Sequence, residues 1–190
     1  MTREVSVVHS LVEMADTLVD DFDIVDMLTR LTDRCVSVLG VSAAGVMLAS
    51  PGDDLRLVAS SSEAMRVLEL FELQAQEGPC LDAFRTGKRV GQQDLEPGTG
   101  RWPRFSMLAV EAGFQSAFAL PLRLRERIVG ALNLFSFDRT PMDEEDVLVV
   151  QAFADLATIS VVQHRAATET QLINEQLAQA LSSGAVPSAV

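Results

Sequence analysis

Two apolar runs, SAFALPLRL (116–124) and RIVGALNLFSF (127–137), meet at a tight Arg125-Glu126-Arg127 turn. Short apolar runs joined this closely form a β-hairpin, and few other constraints on the chain are as strong. Leu122 and Leu124 alternate with Arg123 and Arg125, so part of the ribbon has a wet face. Two further strands are readable upstream. VSAAGVMLAS (41–50) is small, apolar and β-compatible throughout, which predicts a strand buried on both faces. PGDD makes a turn, and LRLVAS (55–60) returns as its partner. KRVGQQDL can hold one more short strand. The resulting sheet is mostly antiparallel.

Helical periodicity surrounds these strands. Val5, Val8, Val12, Ala15, Val19 and Phe22 form one apolar stripe with the rhythm of a heptad. DDFD breaks that pattern, and Asp23 is placed to cap a second helix. Its apolar face carries Ile24, Leu28, Leu31, Cys35, Val38 and Leu39, with Gly40 as its C′ residue. Residues 61–73 read as a helix opened by serines. Another helix starts with Pro79 in its first turn and stops at Gly87. A Gly- and Pro-rich loop (96–103) precedes a short helix over 105–113. TPMDEED, with Thr140 or Asp143 as cap, opens a last long helix running to about Leu181. This order predicts an α+β fold with helices packed on one face of the sheet and long N- and C-terminal helices. The divisions are an N-terminal helix (1–22), a central domain (23–165), a connecting helix (166–181) and a flexible tail (182–190).

The charge narrows the partners. The 190 residues carry a formal net charge of −12, and Lys88 is the only lysine. Phosphate contacts need clustered cations, so no direct nucleic-acid contact and no anionic membrane surface are expected. The longest apolar stretch (147–162) includes Gln151, Asp155, Thr158 and Ser160, too polar to span a bilayer. Two cysteines make no disulfide framework, and no basic-apolar leader opens the chain. A cytoplasmic setting is the expectation.

Chemistry-bearing residues are few. EGPCLDAFRTG (77–87) places Cys80 at a helix start, where N–H groups and the helix dipole favour a thiolate. Glu77 and Asp82 act against that, since neighbouring carboxylates raise a thiol's pKa. The favoured reading is a small buried residue that lets the helix pack. Cys35, on an apolar helix face, is a poor resolving partner. His9 and His164 each stand alone on a helix, so no metal or haem site is expected. No Ser-His-Asp set or glycine-rich phosphate loop emerges. No catalytic residue and no cofactor are assigned.

With these elements placed, residues 23–165 resemble a GAF domain, the small-molecule sensing fold related to PAS. DFDIVDMLTRLTDRCVSVLG resembles the family's first helix, ALPLRLRERIVGALNLFS its paired central strands and PMDEEDVLVVQAFADLATISV its closing helix. EGPCLDAFRTG resembles a motif of bacterial GAF domains that precede an ANTAR domain. The resemblance implies an RNA-binding output domain acting in transcription antitermination, and no RNA contact by these 190 residues. Some GAF domains bind cyclic nucleotides through an Asn-Lys pair, a Phe and an Asp-Glu pair. Here Asn133 is followed by Leu134, then Phe137 and Asp143-Glu144, and the lysine is absent. Free methionine sulfoxide reductases are GAF enzymes that use several cysteines.

Two candidate surfaces follow. Trp102, Phe105, Met107 and Phe114 lie in or beside the loop and helix that cover the sheet in this fold. With Cys80, Phe84 and Phe118 they either line a small apolar cavity for an unidentified ligand or fill the core. Val5, Val8, Val12, Ala15 and Val19 on the first helix, with Leu156, Ile159, Ile173 and Leu177 on the last, form rows that one small domain struggles to cover. They predict a homodimer through the terminal helices. The expectation is a non-enzymatic sensory domain. The alternatives are a ligand-free interaction module and, less favoured, a redox enzyme using Cys80.

Overall fold

The computed structural model describes residues 2–16, 22–92, 94–98 and 100–183. Helix α1 (Arg3–Asp16) leads into α2 (Ile24–Leu39). Strands β1 (Ala43–Ala49) and β2 (Leu55–Ser60) follow, then α3 (Glu63–Ala75), α4 (Pro79–Thr86), β3 (Val90–Gln92) and α5 (Pro103–Glu111). The hairpin β4 (Ser116–Leu124) and β5 (Arg127–Ser136) and the 40-residue α6 (Glu144–Ser183) complete the chain. Val19 and the tail beyond Ser183 lie outside the described residues.

Local signals explain the boundaries. The Asp23 carboxylate accepts hydrogen bonds from the Val25 and Asp26 N–H groups, and Gly40 ends α2 in the left-handed region. Ser62 caps α3 through Met65 N–H, and Asp143 caps α6 through Asp146 N–H. Arg125, at the tip of the β4–β5 turn, takes a positive φ of 55°.

The five strands form one antiparallel sheet in the order β2-β1-β5-β4-β3. β5 and β1 are central, which is why both are buried along nearly their whole length and carry small or apolar side chains. Alternation sends Ala44, Val46, Leu120, Leu132 and Leu134 to one face, and Ala43, Met47, Ala117, Ala131 and Phe135 to the other.

Both faces are covered. Helices α1, α2 and α6 pack on the first through Met14, Leu28, Leu31, Phe153 and Ala157. Helices α3, α4 and α5 pack on the second through Met65, Leu68, Cys80, Leu81 and Phe105. The expectation of helices on one face is thus corrected. Central strands that are apolar on both sides leave neither side fit for water.

The start of α6 packs in the first core, with Val150, Phe153, Ala154, Ala157 and Val161 buried, while residues 166–183 are exposed all round. α6 is the one helix among the described residues long and apolar enough to cross a membrane by length and composition.

Candidate functional site

The second face holds the polar chemistry of the interior, and the EGPC stretch organises it. Helix α3 buries Met65, Leu68, Glu69 and Glu72, so its inward stripe ends in two glutamates. Glu72 Oε1 accepts hydrogen bonds from Cys80 N–H at 2.6 Å and Leu81 N–H at 3.0 Å. It therefore caps α4 from a neighbouring helix, where Gly78 offers no capping side chain. Gly78 is required there: its φ is 153°, and a Cβ would stand 2.4 Å from the Glu72 carboxyl carbon.

The next acid repeats the device. Glu77 Oε1 accepts from Arg104 N–H at 2.6 Å and Phe105 N–H at 3.0 Å, capping α5 across 27 residues of sequence. Asp82 then accepts from Trp102 Nε1 at 2.9 Å and pairs with Arg101 at 2.9 Å. Three acids of one segment thus pin two helix starts and the tryptophan that closes over them.

Cys80 is fully buried in this packing, and burial pushes its thiol up, with Glu72 and Glu69 pushing it further. A protonated, inaccessible thiol is not a nucleophile. Cys35 lies in the other core, its thiol pushed up to about 12 by burial. The sheet stands between the two cysteines, and both are free.

Behind Glu72 lies a second buried carboxyl. Asn133 Nδ2 on β5 donates to Glu72 Oε2 at 3.2 Å. Glu69 packs against Gly45 of β1, where a Cβ would stand 2.1 Å from its Oε1, so only glycine leaves room for it. Neither Glu69 oxygen has a hydrogen-bond partner of good geometry, nor does Asn133 Oδ1. Burial pushes Glu69 well above the ordinary carboxylate value and the adjacent Glu72 pushes it further, while Asn133 and Ser60 pull it back in part. Burial pushes Glu72 up to about 8, against the pull of Leu81 N–H, Cys80 N–H and Asn133. Glu72, with donors on both oxygens, is the better carboxylate of the pair. Burial and the adjacent Glu72 favour the neutral form of Glu69.

The aromatic candidates divide. Trp102, Phe105 and Phe114 are buried in this second core around Phe135, with Cys80 among them and Phe84 half-buried at the margin. Trp102 meets Phe105 edge-on, and Phe105 and Phe114 both tilt against Phe135. Of the two roles open to them, this packing matches filling the core. Two assignments are corrected. Met107 points to solvent, 53 % exposed, because it sits on the outer side of α5. Phe118 packs on the opposite face of the sheet, since it alternates with Ala117 and Ala119.

The remaining candidates have structural roles. Asn133 serves the acid pair, Asp143 caps α6, and Phe137 stacks on Phe114 at 5.0 Å. His9 sits beside Glu13 at 3.4 Å, and His164 against Phe22. Among the described residues no three His, Cys, Asp or Glu side chains gather as a metal-binding group.

Comparison with known proteins agrees with this architecture. The GAF domain of a phosphoenolpyruvate-protein phosphotransferase from Acinetobacter superposes with a TM-score of 0.65 at 12 % identity, covering 86 % of this chain and 97 % of that one. A domain of a putative two-component sensor histidine kinase from Sinorhizobium meliloti gives 0.60 at 14 %, covering 80 % and 99 %. The free methionine-R-sulfoxide reductase from Neisseria meningitidis, solved with its substrate, gives 0.62 at 21 %, covering 83 % and 89 %. A comparison with curated protein sequences gives no significant match. The GAF domain family model matches residues 23–162, from the cap of α2 into the buried part of α6, and the chain belongs to the GAF domain family.

Proposed function

We propose that this GAF domain is a non-enzymatic sensory or regulatory module in the cytoplasm. It pairs with a second copy through its terminal helices and biases an output domain, of the ANTAR RNA-binding type, attached beyond α6. The observation that carries this reading is the surface of those helices. On α1, Val7, Leu11 and Met14 face the domain, while Val5, Val8 and Val12 remain 52 %, 60 % and 54 % exposed and Ala15 faces the same way. On α6, Ile159, Ile173 and Leu177 are exposed, and Leu156 is half-buried. An amphipathic helix normally buries one stripe, and α1 carries two. The second fits a parallel two-fold pairing, in which a helix leaving the domain transmits a shift.

A ligand-free interaction module is the second reading, favoured by the filled interior around Trp102, Phe105 and Phe114. A redox enzyme like the Neisseria reductase is disfavoured, because the buried Cys80 has no thiol on its own side of the sheet. Native mass spectrometry of the protein as purified reads oligomer and retained ligand together. The expected result is a dimer, with Val12→Glu or Leu177→Glu giving a folded monomer, since a charge there must be desolvated. A monomeric parent at micromolar concentration overturns the pairing. A retained small molecule decides for sensing over the closed module.

A further inference from the structure

One end of the sheet contradicts the charge of the chain. Arg123 lies near the end of β4, Arg125 in the turn that follows, Arg127 opens β5, and Lys88 and Arg89 follow the end of α4. Arg89, Arg123 and Arg125 line a groove of about 360 Å³ with Gly87, Pro121 and Gln151, and none of these six residues is acidic. Glu126 at the hairpin tip lies 3.8 Å from Arg123, and its side chain is almost wholly in water. Asp155, one turn along α6, is bonded by Gln151. Among the described residues Arg89 and Arg125 have no ion-pair partner.

Two details show that this cluster is held in place. The Arg123 guanidinium is fixed by donating to the Arg125 and Gly87 carbonyls. Arg125 occupies a left-handed backbone conformation, φ 55°, where glycine or asparagine is ordinary and arginine is strained. A side chain kept there against its backbone preference points to a use for its charge.

We propose that the groove binds a short acidic peptide segment of a partner protein, seating its carboxylates on Arg89, Arg123 and Arg125. A compact phosphate fits less well. The C-terminal end of α4 at Gly87 opposes any anion and opposes a concentrated charge most, while an open groove lets single carboxylates spread along the arginines. A nucleic acid fits less well again, because its length carries phosphates beyond the cluster onto a surface whose net charge is −12. A segment the size of the groove feels mainly the near charges, since screening acts over about 8 Å at physiological salt.

The test is fluorescence anisotropy with a labelled hexaglutamate peptide at physiological ionic strength, where the screening length is about 8 Å. Inorganic phosphate and a short single-stranded oligonucleotide serve as competitors. Arg89→Ala and Arg125→Gly are each expected to weaken peptide binding roughly two- to fivefold, as loss of an exposed charge pair does. Arg125→Lys retains most of the binding. Arg125→Gly suits its backbone position, so its melting temperature is unchanged or higher and misfolding does not explain a loss. The proposal is overturned by no peptide binding, or by equal binding to parent and both variants. Displacement by phosphate at millimolar level, or tighter binding of the oligonucleotide, also overturns it.

Discussion

On one face of the sheet, Leu28, Leu31, Phe153 and Ala157 meet Val46, Leu132 and Leu134 with no carboxyl between them. Of the buried hydroxyls there, Thr32, Thr158 and Ser160 bond back to carbonyls of their own helices, and Ser10 Oγ on α1 has no hydrogen-bond partner. On the other face, Glu69, Glu72 and Asn133 lie among Met65, Cys80 and Phe135. The first face is held by apolar area, which is indifferent to pH and direction. The second adds to its own apolar area directed hydrogen bonds accepted by a few acids, and carries the cost of keeping Glu69 and Glu72 out of water. The faces therefore differ in how they respond to substitution and pH.

The largest expected effect is on the apolar face. Phe153→Ala should cost about 3–5 kcal/mol, the same near pH 5 and near pH 8. Urea unfolding at the two values checks this, and a clear difference between them breaks the contrast. Glu72→Ala should cost about 2–3 kcal/mol, because the Cys80 and Leu81 N–H groups and Asn133 lose their acceptor inside the protein. Glu72→Gln keeps an acceptor in place and should recover more than half. If Glu72→Ala is as stable as the parent, the capping role fails.

The pH dependence comes next. Glu72 and Glu69 have folded values above the ordinary 4.5, so between that value and about 8 the folded chain holds protons that the unfolded chain has released. The contribution of Glu72 is full below about 4.5 and is lost as the pH rises through about 8, and that of Glu69 is lost in the same direction as the pH rises. Glu69→Gln, which cannot ionise, should match the parent near pH 5 and gain on it as the pH rises. A parallel pH profile for the two proteins shows that Glu69 does not titrate in the fold. The smallest effect concerns Cys80: its labelling by a thiol reagent at neutral pH should be no faster than global unfolding, while labelling that tracks a pKa below about 7 marks an activated thiol.

Much of this was legible beforehand because it is written locally. The caps at Asp23 and Gly40, the Pro79 start and Gly87 stop of α4, and the β4–β5 hairpin each depend on neighbours in sequence. The burial of β1 on both faces was legible too, but helices on both faces do not follow from one strand alone. The acid pair was missed. Glu69 and Glu72 look like ordinary polar positions of an amphipathic helix until they are set on the same stripe as Met65 and Leu68. That spacing was the available signal. In sequence Glu77 and Asp82 are only neighbours of Cys80, because their partners, the start of α5 and Trp102 before it, lie 20 or more residues away where local patterns do not reach.

The borrowed caps have a consequence for how the domain breathes. α4 has eight residues and α5 nine, below the length at which a lone helix holds in water. Each takes its N-terminal acceptor from a residue upstream, Glu72 for α4 and Glu77 for α5. Neither can fray from its start without releasing a bond anchored in the segment before it. Helices α3, α4 and α5 should therefore open as one cooperative unit. In native-state hydrogen exchange, the amides of α4 and α5 should share one opening free energy and one denaturant dependence, distinct from those of β1 and β5.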